Sequence, residues 1–477
     1  MPMSDFPEYE NYDAVGLAQL IASKELKATE VIEAAIHRAE KVNPRLNCIV
    51  HPMYEEARRK VGNTTSSPLG GVPLLFKDLG VLCHTSITSF GSSLFKDFVP
   101  SIDSEIVVRA QNAGMIVLGK TNTSELGLSI TTEPKLYGAT HNPWLTGVTA
   151  GGSSGGSGAA VAARIVPVAH GTDGAGSIRI PASCCGVFGL KPTRGRVPVG
   201  PEVGERNGGF FTQHALTRSV RDSAAMLDVW SGPELGDPYA APHQATAFEA
   251  AMNRSMAGLR IAVQTYNPSG AGTDDVWLSV VEDAAKLCAD LGHVVEYENL
   301  SYDFEALTTA AKIIWSANIS MAMDGRWQQL AKPPTPKDCE KFAWYFYNFG
   351  REQSAVQYVS ALNQIHRLSR DVAAFFGKYD ILLTPGLSVA PFELGIFNAD
   401  TLGEAELWDQ QWKFAPFTML ANATGQPAMS VPTYWDARGL PFGSHFMARA
   451  GEEETLLCLA RQLEEARPWM HRKPALD

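Results

Sequence analysis

Three glycine-containing stretches of this chain could do chemistry, and they point in different directions. Gly114-Met115-Ile116-Val117-Leu118-Gly119-Lys120-Thr121 satisfies G-x-x-x-x-G-K-[ST], the spacing of a phosphate-cradling loop. That loop needs a flexible backbone whose N–H groups face phosphates. Here the four middle residues are large and apolar, so the stretch reads as a buried strand. Gly151-Gly152-Ser153-Ser154-Gly155 satisfies G-x-S-x-G, the nucleophile elbow, which wants a strand immediately before it and a helix after it. The preceding Asn142–Ala150 contains Pro143 and Gly147 and reads as loop, and His366, His445 and His471 carry no local signature of a triad histidine. In the third stretch, Gly171–Pro181, three small residues (Gly174, Ala175, Gly176) precede Ser177, with Asp173 and Arg179 on either side. Small residues let a substrate approach the backbone, and successive N–H groups can converge on an oxyanion. This stretch is a candidate catalytic site. The Gly/Ser tract Thr149–Gly158 upstream reads either as a flexible linker or as part of the same site.

The elements that must position these loops alternate between strand and helix. Apolar positions Val31, Ile32, Ala35, Ile36 and Ala39 share one helical face, with Thr29 as its cap and Asn43-Pro44 as its stop. Gly70–Phe76 reads as a turn and a short buried strand that delivers Lys77-Asp78. A helix over 104–112 precedes the strand 115–118, and an Ala-rich helix up to Arg164 precedes a strand over 165–169. Further strands are expected at 259–263, 294–297, 381–383, 428–431 and 445–448, with helices over 274–291 and 452–466. Residues 304–375 read as mostly helical and aromatic, and Pro233–Pro242 as turn-rich. The alternation predicts one large α/β domain over 1–477 with a variable, largely helical, substrate-side insertion over 233–375.

Composition narrows the function classes. The 477 residues are 45% hydrophobic and 19% charged, with a net charge of −11 and no basic block, which argues against nucleic acid or an anionic membrane as partner. No run of 18 apolar residues appears, and Met1–Glu8 lacks the basic start and apolar core of a secretory signal. Seven scattered cysteines without C-x-x-C, Cys184-Cys185 among them, fit a reducing cytoplasm and argue against zinc; no H-E-x-x-H occurs.

Taken in chain order, the stretches resemble the amidase signature enzymes. The resemblance runs through Gly71–Asp78, Gly119–Asn122, Gly151–Ala163, Gly171–Pro181, Gly189–Thr193, Asn422–Ala428 and Gly439–Gly443, nearly the whole chain. It implies an α/β amidase signature fold, a large twisted mixed sheet flanked by helices on both faces. It also implies Ser177 as nucleophile, Ser153 as bridging serine after a cis peptide, and Lys77 as base, with no metal or organic cofactor. The oxyanion would be held by backbone N–H groups of Gly174, Ala175, Gly176 and Ser177. The chemistry is coherent, since a serine hydroxyl needs a base and lysine serves only when neutral. Lys77 follows the apolar run Val72–Phe76, so desolvation should lower its pKa from about 10.4. Many relatives carry Gly where this chain has Ala175. Backbone donation survives that change, and a negative φ is expected there. Ser154, Asp173 and Arg179 match positions that orient the loop.

The substrate is less sharply marked. Thr131-Thr132-Glu133-Pro134, Gly138-Ala139-Thr140, Pro181-Ala182-Ser183 and Pro468-Trp469 look most like the branch that opens cyclic nylon oligomers. The resemblance implies a hydrophobic amide, a lactam or ω-amino acid oligomer, an anilide or a carbamate. Gly127, Leu128 and Ser129 would lie beside the acyl group, Trp315 on the leaving-group side, and the aromatics 342–349 would form an apolar mouth. The glutaminase subunit of an amidotransferase, or a non-hydrolytic partner protein on the same fold, is the alternative. Ile180 stands where that subunit usually has Gln. The expected protein is a cytoplasmic monomer or homodimer.

Overall fold

Eleven strands join one mixed sheet in the order β1-β3-β2-β4-β6-β5-β10-β11-β9-β7-β8. They are β1 (Ile49–Pro52), β2 (Pro73–Lys77), β3 (Ile116–Thr121), β4 (Val168–Asp173), β5 (Phe188–Lys191), β6 (Thr212–Thr217), β7 (Arg260–Val263), β8 (Val294–Tyr297), β9 (Ile381–Thr384), β10 (Ala428–Trp435) and β11 (Pro441–Ala448). This computed structural model describes residues 6–63 and 67–476. Met1–Asp5, on which the expectation of no secretory signal largely rests, lie outside them. Among the described residues sixteen α-helices flank the sheet. None is long and apolar enough to cross a membrane.

The parallel neighbours β3-β2-β4 position the site. Every residue of β2, Pro73 to Lys77, is buried, as a strand covered on both faces requires. Its register sets Lys77 beside Thr121 of β3, and Leu75 beside Ala169 of β4. Continuing that pairing brings Lys77 level with Gly171 and next to Thr172, at the carboxyl ends of the strands where open α/β sheets bind ligands.

Two apolar cores lie on either side of this point. One packs the helix Ala28–Leu46 and the helix Val220–Trp230 against β2, β3 and β4 through residues such as Ile32, Leu74, Phe76 and Trp230. The other joins Ala175 and Ile180 to the helices Phe304–Gln329, Lys341–Arg351 and Glu404–Phe414 through Trp315, Phe346, Trp408 and Trp412.

Several expectations need correction. The first long helix starts at Ala28, with Lys27 at its cap position, and Pro44 lies inside it rather than ending it. Glu30 accepts the Lys27 N–H, and the left-handed Asn47 (φ 50°) closes the last turn by donating its N–H to Asn43 O. The strand expected at 165–169 runs instead over Val168–Asp173, carrying the reactive loop directly off its end. Within 233–375, β7 and β8 form the sheet edge next to β9. The α-helices of this segment are Phe248–Ala251, Asp275–Asp290, Phe304–Gln329, Lys341–Arg351 and Ala355–Phe375. Gly119, Lys120 and Thr121 sit within buried β3, so the phosphate-loop spacing falls on a strand.

Candidate active site

The end of β2 places Lys77 in an interior without solvent, 0% exposed. Its Nζ lies 2.6 Å from Ser153 Oγ and 2.8 Å from Thr172 Oγ1, and no carboxylate among the described residues pairs with it. Burial holds its pKa well below the usual lysine value, with the charge of Asp173 pulling the other way. Burial thus favours the neutral amine, whose lone pair would lie next to the Ser153 hydroxyl.

Ser153 reaches Lys77 because the preceding loop is fixed tightly. The Gly152–Ser153 peptide is cis. Thr132 Oγ1 donates to Gly151 O (2.9 Å) and accepts from the Gly155 N–H (3.0 Å), spanning the turn. A Cβ on Gly152 would collide with the Thr131 backbone, so the close approach requires glycine there. The helix Gly155–Ala162 begins immediately after this loop. No strand precedes it, so the elbow reading lacks its scaffold.

The second loop leaves β4 at Asp173, whose carboxylate gathers five donors. Gly176 N–H (2.6 Å), Arg179 Nη2 (2.9 Å) and Asn422 Nδ2 (2.9 Å) reach Oδ1; Ile178 N–H (3.1 Å) and Arg179 Nε (3.0 Å) reach Oδ2. Burial alone would raise the Asp173 pKa, but the Arg179 charge and these hydrogen bonds hold it well below the usual carboxylate range. Arg179 Nη1 also lies 2.9 Å from His445 Nε2. Arginine only donates, so Nε2 accepts and the ring proton sits on Nδ1, donated to Thr384 Oγ1 at 2.8 Å. Burial and the neighbouring Arg179 charge keep His445 neutral. This histidine is therefore held by the loop's ion pair and is not free to act as a triad base.

Ser177 follows Gly176, where φ is 129° and a Cβ would collide with Thr418. Positive φ falls on Gly176 and not on Ala175, as expected from the Ala substitution. Ser154 ties the two loops together: its N–H donates to Ser177 O at 3.3 Å and its Oγ to Thr172 O at 3.2 Å.

The loops close one side of a cavity that Ser153, Thr172, Gly174, Ala175 and Ser177 all line. Gly127, Leu128, Ser129 and Trp315 line it as well, so the expected substrate residues converge there. Gly127 adopts φ 72°, and a Cβ on it would come within 3.4 Å of Ser153 Oγ. Trp315 stands beside Gly174, 3.9 Å from where a Cβ would be. Gly176 is the expected donor that the structure commits elsewhere, its N–H being taken by Asp173. The aromatics 342–349 do not form the mouth. Phe342, Phe346 and Tyr347 are buried among the surrounding helices, and the apolar wall is made instead by Leu79, Leu126, Phe211, Ile319 and Trp412. Among the described lining residues none is charged.

Sequence reasoning did not single out Thr172, Asn422, Gln411 or Trp412. Thr172 could have been found from the β2–β4 register once the strands were paired. Asn422 lies in a matching motif, but its contacts to Asp173 O and Phe210 O bridge more than 200 positions of sequence. Gln411 and Trp412 reach the cavity from a helix with no motif of its own.

Comparison with known proteins assigns the chain to a family. Residues 30–457 match the family described as Amidase. The chain is 37% identical to the 6-aminohexanoate-cyclic-dimer hydrolase of Paenarthrobacter ureafaciens, over 97% of this chain and 96% of that one. It is 34% identical to an acylamidase of Rhodococcus erythropolis, over 97% of each. The solved structure of a 6-aminohexanoate cyclic dimer hydrolase complexed with substrate superposes with a TM-score of 0.92 at 34% identity, covering 98% of this chain and 99% of that one. By the extent of these matches, the chain belongs to the amidase family, the amidase signature hydrolases that act on carbon–nitrogen bonds other than peptide bonds.

Proposed function

We propose that this hydrolase cleaves a neutral, largely apolar amide, lactam, ω-amino acid oligomer, anilide or carbamate through Ser177, Ser153 and Lys77. The observation that carries the reading is the 2.6 Å contact of a fully buried, unpaired Lys77 amine with Ser153, inside a cavity that Ser177 also lines.

Neutral Lys77 takes the proton of Ser153, which takes that of Ser177 as Ser177 Oγ attacks the substrate carbonyl. The carbonyl π pair moves to oxygen, giving a tetrahedral oxyanion. Backbone N–H groups of Gly174, Ala175 and Ser177 are the donors for it, since Asp173 occupies that of Gly176. Collapse breaks the C–N bond. The proton returns from Lys77 through Ser153 to the leaving nitrogen, which departs as the free amine. Water then repeats the sequence against the acyl-enzyme, releasing the acid and restoring Ser177. Asp173, Arg179 and Ser154 hold the loop in place. No step requires a metal or an organic cofactor.

The uncharged lining supports an uncharged substrate. A free glutamine would bring an ammonium and a carboxylate into the cavity, and each would need a charged partner there. This counts against the glutaminase alternative. A carbamate offers the same carbonyl and leaving amine as an amide and fits the same steps. The seven unpaired cysteines, six of them buried, support a cytoplasmic location. The test is turnover of a panel of anilides, primary amides, lactams and carbamates by wild type and Ser177→Ala. Release of amine from apolar members by wild type alone is expected. Equal release by both proteins, or turnover of glutamine only, would contradict the proposal.

A further inference from the structure

Four buried polar atoms of residues that line the cavity have no hydrogen-bond partner among the described residues: Trp315 Nε1, Trp412 Nε1, and both Nε2 and Oε1 of Gln411. Gln411 is 0% exposed, and Trp315 and Trp412 are 7% and 5% exposed. Buried side-chain polar groups are nearly always hydrogen-bonded, so a carboxamide that is bare at both ends calls for an explanation. The side chains around it are held in place. Trp315 packs edge-on against Trp412 (5.9 Å between ring centres) and Trp408 (5.8 Å), and Trp408 against Trp412 (5.1 Å). Gln411 lies between Trp408 and Trp412 on the helix Glu404–Phe414.

The chemistry of the bare atoms defines what would complete them. A carboxamide presents an N–H donor and a carbonyl acceptor in one plane, and an indole N–H only donates. The wall therefore offers donors from three side chains and one acceptor. A hydrocarbon satisfies none of these. An ammonium would match only the acceptor, and a carboxylate only the donors. A group with a carbonyl oxygen and an N–H side by side matches both.

We infer that Gln411, flanked by the indole N–H groups of Trp315 and Trp412, is a specificity-determining residue that hydrogen-bonds a second amide or carbamate group of the substrate, selecting molecules that carry two such groups over those that carry one. This deepens the proposed function and rests on its reading of the cavity as the substrate site. An unpaired buried partner is what gives such a wall its selectivity, because the analogue lacking the group leaves the wall's polar atoms bare. Gln411 acts on choice of substrate and takes no part in proton transfer.

The experiment uses pairs of 4-nitroanilides. One member of each pair has an N-acetyl-ω-aminoacyl chain with one to five methylenes, and the other is the straight-chain acyl compound of equal length. The readout is the ratio of kcat/KM within each pair, for wild type, Gln411→Leu and Gln411→Glu. Gln411→Glu keeps the side-chain volume but removes the amide NH2. Wild type is expected to favour the acetamido member by at least about tenfold at one or more chain lengths. Both variants are expected to bring that ratio close to one. A wild-type ratio near one at every length, or a ratio that survives in both variants as a trapped water on Gln411 would allow, overturns the inference. Calorimetric binding of the same pairs to Ser177→Ala, with and without Gln411→Leu, separates the two claims. A Gln411-dependent binding preference in a protein whose wild type turns over no pair overturns the hydrolytic mechanism and sustains this inference. Turnover without such a preference does the reverse.

Discussion

Lys77 Nζ and Ser153 Oγ lie 2.6 Å apart with the lysine wholly enclosed, so the amine meets a hydroxyl where most buried lysines meet a carboxylate. Burial lowers the Lys77 pKa, and the base works only when deprotonated. The expected kcat/KM profile rises with pH along a single acid limb set by Lys77 and is level in the alkaline range until other groups titrate. A pH series with a neutral anilide measures it. A rate that climbs as pH drops below about 6 contradicts the role of Lys77 as base.

Thr172 Oγ1 is the other neighbour of the amine, at 2.8 Å. A hydroxyl acceptor supports the ammonium form more than the neutral amine. Thr172→Val should therefore lower the Lys77 pKa further and move the acid limb to lower pH. A shift toward higher pH would show that Thr172 is not acting as acceptor to the ammonium.

Stability carries the same signature with a definite sign. The folded pKa of Lys77 lies below its unfolded value, so between the two the unfolded chain binds more protons and stability rises with pH. Lys77→Met lacks this dependence. Relative to wild type, the variant should gain about 1.4 kcal/mol for each unit that pH falls within that window, starting from about pH 10. Urea unfolding of both proteins between about pH 7 and 9 measures the difference. Parallel curves would show that Lys77 stays charged in the fold.

The Asp173–Arg179 pair is the structural anchor of the Ser177 loop. Removing one partner of a buried pair leaves the other uncompensated, so Arg179→Met is expected to cost about 3–5 kcal/mol of stability at neutral pH. Because the Asp173 pKa is depressed in the fold, its contribution is present above the unfolded carboxylate value and fades as pH falls toward the folded one. The gap between wild type and variant should therefore narrow below about pH 4. Chemical denaturation at neutral and acid pH checks both points, and a gap that widens in acid would contradict the assignment.

Much of this was legible in the chain, and the residues show why. Lys77, Ser153 and Ser177 sit in short stretches whose Gly and Ser content is set by backbone needs, such as the close approach at Gly152 and the positive φ at Gly176. Local demands of that kind leave a local record. Most strands were visible because β2, β7 and β9 are short apolar runs bounded by turns. The end of the first helix was misjudged at Pro44, because its missing N–H costs one hydrogen bond to the carbonyl four residues back but does not stop the chain from continuing helical to Leu46. The cavity wall was the hardest part to read. Gln411 and Trp412 belong to an ordinary amphipathic helix, and only the packing of Trp315, Trp408 and Trp412 across about 90 positions brings them to the site. The aromatics 342–349 were misassigned for the same reason, since aromatic content does not distinguish a core from a cavity wall.

The central claim is that Ser177 becomes an acylated nucleophile through Ser153 and Lys77. Its most direct test is reaction of the purified chain with a fluorophosphonate near pH 8, followed by mass spectrometry of the peptide containing Ser177, for wild type and Lys77→Ala. The expected result is one adduct on Ser177 in wild type and none in Lys77→Ala. A folded wild-type protein that is unlabelled at Ser177, or labelled there as fast without Lys77, would contradict it.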